Sequence, residues 1–564
     1  MNKLLLNIIG VCVAFFLVSC EDLTEVNINP NAIDPLTADP NLMMPSFIGR
    51  TMRGYQAAGF KDKFAGVVQY IQHTGWSGGV NRFDWVGAED WDGTYALLKD
   101  IQYCYDRSVE LDYEFHQGVC LVMRAFQFAQ LTDRYGDIPY SEALSPVSGG
   151  TNLFPVFDDQ KDVYEGIINE LKDANDLLSK GDMKEYAGDP GNKAIDPLYG
   201  FDPVKWRKLA NSLMLRYYMR LSVKDPAYAE AGIKDIVNNS GKFPIFTSND
   251  DDALMDYPGT APDHSWDGNL VYDQTATPFF YRVHLCAGFR DVLVDFKDPR
   301  LPVWFNKVDR KISIDETPGA EDDVVRDGVR YLSANKVASS FVLYDKNTWV
   351  ANITAGKTLI DTTDYVGMPL GFTQNDGLEY NLCPATSQGF HNVHASALTD
   401  MYREANGDLL QARMISYAEV CFILAEAAQK GWISGAQDWY EKGVKASLEY
   451  WGLGDEYDTY IQNAGVAYNG ANALEQIITQ KWISNWTVAV ESWCDWRRTG
   501  YPVFTFGPRT IRNDMPIRYR YGFNEQSRNL DNYKEAIKSL EATSETKLDV
   551  EGIDSAWSKM WLLK

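Results

Sequence analysis

Residues 418–432 read Ala-Glu-Val-Cys-Phe-Ile-Leu-Ala-Glu-Ala-Ala-Gln-Lys-Gly-Trp, and this stretch decides the fold. The run from Glu419 to Gln429 is rich in alanine and long apolar side chains, and no proline interrupts it, so it reads as a helix. Gly431 and Trp432 end it, and a second helix starts near Ala436. Along that second helix Ala436, Tyr440 and Gly443 recur as small, aromatic, small. Small residues let paired helices approach, and the aromatic fills the gap. This is the packing logic of tetratricopeptide repeats.

The helical period extends outward in both directions. Phe64, Val67, Val68 and Ile71 make one apolar face, and Leu97, Leu98, Ile101 and Tyr105 another. Val119–Leu131 reads as a third helix. A fourth carries Tyr164, Ile167, Ile168, Leu171, Ala174 and Leu178, with Asp158 and Asp159 suited to its start. Leu209, Leu213, Tyr217 and Leu221 follow a start containing Pro203, and further helices are expected at Ala436–Tyr450, Ala473–Trp486 and Asn532–Leu540. These pairs match the repeat pattern only loosely. The expected fold is therefore mainly α: a tetratricopeptide-like helix-pair scaffold with diverged units. Between about 240 and 400, Gly, Pro, Asn and Thr rise, which predicts a loop-rich region with a few short strands, such as Ser340–Tyr344.

The chain opens Met1-Asn2-Lys3 and then runs apolar from Leu4 to Val18, short of the ~20 residues a membrane span takes. A basic start before a short apolar run is a secretory signal. Leu17-Val18-Ser19-Cys20 resembles the bacterial lipobox, which implies cleavage before Cys20 and lipidation of its side chain and amino group. Residues 1–19 are then a signal peptide, the polar Pro/Asn-rich residues 20–45 a lipidated tether, and 46–564 the body. The net charge of -25 argues against nucleic acid as a partner and suits neutral, or at most cationic, ligands. Beyond the anchor, Cys104, Cys120, Cys286, Cys383, Cys421 and Cys494 are widely spaced with no CxxC, and they read as buried free thiols.

Several stretches, in order along nearly the whole chain, carry a family resemblance. They are Asn27-Ile-Asn-Pro-Asn31, Leu131-Thr-Asp-Arg-Tyr-Gly-Asp-Ile-Pro-Tyr-Ser-Glu-Ala143 and Phe201-Asp-Pro-Val-Lys-Trp-Arg-Lys-Leu-Ala-Asn-Ser-Leu-Met-Leu-Arg216. Residues 418–432, Gln480-Lys-Trp-Ile483, Glu491-Ser-Trp-Cys-Asp-Trp-Arg-Arg-Thr-Gly-Tyr-Pro502 and Ile517-Arg-Tyr-Arg-Tyr-Gly522 complete the set. Together they resemble the SusD/RagB family of outer-membrane nutrient-binding lipoproteins. The resemblance implies a cell-surface lid, lipid-anchored to the outer membrane, over a SusC-like TonB-dependent β-barrel transporter. It implies oligosaccharide ligands, or peptides in some members, with no catalysis and no cofactor. Glu21 and Asp22, directly after Cys20, look like the family's surface-export signal. Physically, the Tyr-Gly-Asp-Ile-Pro-Tyr and Trp-Arg-Arg-Thr-Gly-Tyr-Pro stretches end helices, so both read as structural.

Ligand contacts are a separate question, because no family motif marks them. Gly75-Trp76-Ser77-Gly78-Gly79 formally matches the nucleophile elbow, which needs a strand before the serine and a helix after it. Here a run read as helical precedes and a polar loop follows, so a surface hydrolase is the remote alternative. Sugars offer C–H faces to aromatic rings and hydroxyls to polar side chains. The loop from Trp76 to Trp85, with Asn81, Arg82, Phe83 and Asp84, supplies both. A second candidate is Trp266, Asn269 and Tyr272, near Phe279-Phe280-Tyr281, and a third is Tyr344 with Trp349. The His391/His394 pair and the run Asp250–Asp252 read as solvated loops, and no metal-binding pattern is complete.

Overall fold

The computed structural model describes residues 39–144, 154–180, 191–275, 278–384, 391–550 and 552–564. Cys20 and residues 20–38 lie outside them. The body starts before residue 46: helix α1, Pro40–Phe60, is capped by Asp39, whose carboxylate accepts from the Asn41 N–H at 2.9 Å, and Pro40 sits in its first turn. Residues 40–45 therefore belong to the body and not to the tether.

Helix α2, Lys63–Val67, strand β1, Ile71–His73, and helix α3, Ser77–Asn81, follow. The long helices α4, Asp92–Glu110, α5, Glu114–Tyr135, α6, Gln160–Ser179, α7, Pro203–Arg220, and α8, Pro226–Asn238, pack in succession, each on its chain neighbour. After an irregular region come α11, Tyr417–Gln429, α12, Ala436–Tyr450, α13, Ala473–Ser484, and α14, Ala489–Thr499. The irregular region carries α9, Gly268–Tyr272, and α10, Ala287–Asp295, among other short helices and turns.

Close approach is what the small residues supply. A Cβ on Gly443 of α12 would stand 2.9 Å from the Phe422 ring of α11, and one on Gly118 of α5 would stand 2.7 Å from Leu178 of α6. The helix-pair pattern is therefore repeated in space even where its sequence signature has faded.

The strands are short, as expected. β2, Leu254–Met255, pairs with β9, Ala412–Arg413, and β1 pairs with β3, Val283–Leu285, both antiparallel. β4, Ile312–Asp315, β6, Val329–Ser333, and β5, Asp323–Arg326, make a three-stranded sheet in that order. β7, Val342–Leu343, falls inside the strand expected at 340–344 and pairs with β8, Leu359–Ile360. One expectation fails: Ile71 does not continue the α2 face. The helix stops at Val67, Gln69 takes a positive φ of 61°, and Ile71–His73 is extended.

The motif stretches converge on a buried ion network. Arg216 of α7 makes a two-pronged pair with Glu419 of α11, at 2.8 and 2.7 Å. Arg220 reaches Glu491 of α14, which also accepts from the Tyr55 hydroxyl of α1 at 2.8 Å. Lys481 of α13 pairs with Asp495 at 2.8 Å, and Arg498 pairs with both Glu426 and Asp495. Asp133 of α5 takes the Tyr164 hydroxyl of α6 and faces Arg220 at 3.5 Å. Arg497 donates to the Asp133 and Ile517 carbonyls and lies 3.5 Å over the Trp493 ring. Buried charges survive only when paired, and this set is balanced in sign. Burial alone would raise the Glu491 carboxyl, but Arg216 and Arg220 outweigh it and hold it at about 2. Against the same burial, Lys481 and Arg498 hold Asp495 at about 2.

The helix-stop reading of the two turn motifs also holds. Gly136 and Gly500 end α5 and α14 at φ 93° and 78°, where a side chain would be strained. All six described cysteines are free and buried.

Candidate functional site

The antiparallel β1–β3 pair sets Ile71 opposite Leu285 and His73 opposite Val283. The same register carries the residues after β1 past those before β3, and the Thr74 N–H donates to the Arg282 carbonyl at 3.0 Å. Trp76 thereby meets Phe279: the rings stack at 5.8 Å with planes 17° apart, and the Arg282 guanidinium lies 4.1 Å from the Trp76 ring centre. A Cβ on Gly75 would stand 2.3 Å from the Arg282 guanidinium, which would have to shift to admit it.

Trp76 remains 68% exposed and takes left-handed backbone angles, φ 51° and ψ 43°. A bulky residue in that region is disfavoured by roughly 1–2 kcal/mol. An exposed tryptophan held there, on a supported ring, is a platform offered to solvent. Lys61 lies 4.9 Å from the Phe279 ring centre and pairs with Asp267, which caps α9 by accepting the Asn269 and Leu270 N–H groups. This chain of contacts joins the first two candidate stretches into one surface, running from Trp76 through Phe279 and Lys61 to α9.

Not every expected residue lies on that surface. Trp76, Asp84, Asn269 and Tyr272 are exposed, and Arg82 is half-buried, its Nε donating to the Arg509 carbonyl at 2.8 Å. Trp85 is 2% exposed; it packs edge-on against Phe64 and Tyr519 and beside Trp493, and its indole donates to the Gly79 carbonyl at 3.0 Å. Phe83 is wholly buried. Asn81 is a strut: its side chain accepts from the His73 N–H and donates to the His73 and Phe372 carbonyls. Trp266, also 2% exposed, packs on Phe60 and Tyr257. Asn81, Phe83, Trp85 and Trp266 are thus corrected as stacking or surface contacts, because the core claims their side chains. The stretch is not a free loop either, since Ser77–Asn81 is helical.

Other expectations change too. A strand does precede Ser77 and a short helix follows it, yet the strained residue is Trp76 and the serine is buried. Asp251 and Asp252 are buried, not solvated: Asp251 pairs with Lys208 at 2.8 Å, and burial pushes the Asp252 carboxyl up to about 7. His394 is buried against the Arg310 carbonyl, with its pKa lowered by burial to about 4. Of the third candidate, Trp349 is buried, while the half-buried Tyr344 hydroxyl donates to Asp291 at 2.8 Å.

A cleft of about 560 Å³ opens beside α9, lined by Arg53, Gln56, Lys61, Tyr257, Trp266 and Asn269 among others. Arg53 and Gln56 of α1, and Lys61 just after it, are not among the residues singled out from the sequence, because α1 carried no recognition signal of its own. No group of three or more metal-ligating side chains occurs among the described residues, and none of the described helices is long and apolar enough to cross a membrane.

The helix-pair scaffold thus carries an exposed aromatic ring near a polar cleft. The family model for starch-binding proteins that associate with the outer membrane, SusD-like, matches residues 30–338 and 350–523. The chain belongs to that SusD-like family. Among solved structures, it is similar to a SusD homologue from Bacteroides fragilis at 22% identity and TM-score 0.67, covering 93% of this chain and 99% of the other. It is also similar to a chitin-binding protein at 23% and 0.66, covering 94% and 99%. A third match, at 22% and 0.66, is an outer-membrane protein from Bacteroides vulgatus whose description links it to nutrient binding; it covers 93% and 100%. These likenesses establish the fold. No protein of curated function matches the chain.

Proposed function

We propose that this protein captures an oligosaccharide at the cell surface and passes it to a SusC-like TonB-dependent β-barrel, while a lipid on Cys20 keeps it at the outer membrane. The observation that carries the ligand class is the exposed Trp76 ring, backed by Phe279 and flanked by Arg282. A sugar ring lays its C–H face on such a platform, and the exposed Asn269, Tyr272 and Asp84 side chains offer polar partners for hydroxyls. A structurally similar protein described as chitin-binding supports a glycan. Binding is non-covalent and needs no cofactor, and the protein does no chemistry on its ligand.

Calorimetry with matched panels of oligosaccharides and peptides tests this reading. Saturable binding of at least one oligosaccharide, with peptides silent, is expected; binding of peptides alone would overturn it. New reducing ends on incubation with polysaccharide would refute the absence of hydrolysis.

A further inference from the structure

A second pocket, of about 270 Å³, opens away from the platform. Gln69, just before β1, is part of its wall, whereas Trp76 follows β1, and the pocket shares no lining residue with the cleft beside α9. The third candidate of the sequence lies here, since Tyr344 and Trp349 both line it. Phe504 joins them from the irregular segment after α14. Its ring meets Trp482 edge-on at 5.7 Å and runs near-parallel to Trp496 at 6.4 Å. Gln69 fixes that segment by donating to the Thr505 carbonyl at 3.0 Å. Tyr344 and Phe504 are only half-buried and Val503 is 75% exposed, so this wall keeps aromatic and apolar surface open.

The polar side comes from α10 and the turn after β7. Asp291 and Asp295, four apart on α10, share one face. Asp291 accepts from the Tyr344 hydroxyl and pairs with Arg290 at 3.0 Å, while Asp295 pairs with Lys346. Asp295, Lys346 and Asn347 are exposed. An anion here would meet two carboxylates, and a cation would have to displace a standing partner. A hydroxyl needs neither, because a paired carboxylate keeps lone pairs free to accept, and the Asn347 amide both donates and accepts. Open ring surface beside such groups suits a neutral sugar. The volume lies just under the range that holds drug-sized ligands, so it admits one ring and not a chain. We infer that this pocket is a second sugar site, holding one neutral pyranose unit against Tyr344 and Phe504, with Asp295 and Asn347 on its hydroxyls. The inference rests on the glycan reading above and adds a site to it.

The test is calorimetric titration of the full mature protein with maltotetraose, cellotetraose and chitotetraose, in wild type, Trp76→Ala and Trp76→Ala/Phe504→Ala, with hydrogen–deuterium exchange at saturation. Trp76→Ala is expected to keep a single class of site, about tenfold or more weaker than wild type, and the bound sugar should slow exchange in 342–350 and 502–506. Adding Phe504→Ala should remove both the binding and the protection. If that variant loses Tm, Trp76→Ala/Asn347→Ala takes its place; it alters an exposed side chain and should weaken the remaining site with Tm unchanged. Loss of all binding in Trp76→Ala, or residual binding that leaves 342–350 and 502–506 unprotected, would overturn the second site and leave the glycan reading standing. If no oligosaccharide binds wild type at all, the glycan reading falls and this inference falls with it.

Discussion

Two tryptophans nine positions apart, Trp76 and Trp85, stand for two regions with opposite logic. Trp85 closes the core around Phe64, Trp493 and Tyr519, next to the buried ion network on which the family's sequence motifs converge. Trp76 is held out in a strained backbone conformation on Phe279. In the first region the charged side chains pair with one another inside the chain. In the second, an aromatic ring is left to solvent. The motif stretches of this chain therefore report on stability, and the proposed recognition surface lies outside them.

Breaking the network should give the largest effect. Glu491→Gln removes the nearest carboxylate of Arg220 from a buried, charge-balanced set and should destabilise the fold by about 3–5 kcal/mol, read as a large drop in Tm. Trp85→Ala should cost a similar amount, about 3–5 kcal/mol, through the cavity it leaves. A Trp76/Trp85 double substitution would consequently report on unfolding and not on binding.

Acid should act on the same region. Glu491 and Asp495 sit at about 2 in the folded state, below their ordinary values. A depressed carboxylate contributes stability that is fully present above the unfolded pKa and is lost as pH falls through the folded one. Thermal stability should hold above about pH 5 and fall progressively toward pH 2. Glu491→Gln should flatten the Glu491 part of that slope.

At the platform the stability effect should be small and of opposite sign. Trp76→Gly relieves the left-handed strain and should leave stability unchanged or raise it by up to about 1 kcal/mol, while it abolishes stacking. A clear loss of Tm in this variant would show that the ring is structural.

The helices were legible in the sequence because each repeats its apolar face over several turns, as from Tyr164 to Leu178. The ion network was legible only as motif residues: nothing local says that Arg216 meets Glu419, two hundred positions away. Three-residue strands are too short to show alternation, so Ile71–His73 read as more helix. The candidate site depended on that strand. Its pairing with Val283–Leu285 brings Trp76 to Phe279, and without the register the two candidate stretches looked independent. Trp76 and Trp85 could not be told apart beforehand, since Trp85's partners Trp493 and Tyr519 come from the far end of the chain.

The most direct measurement titrates wild type and Trp76→Ala with the same oligosaccharide, and records Tm for both. The account predicts at least about a tenfold loss of affinity with Tm unchanged. Equal affinity in the two proteins would contradict it.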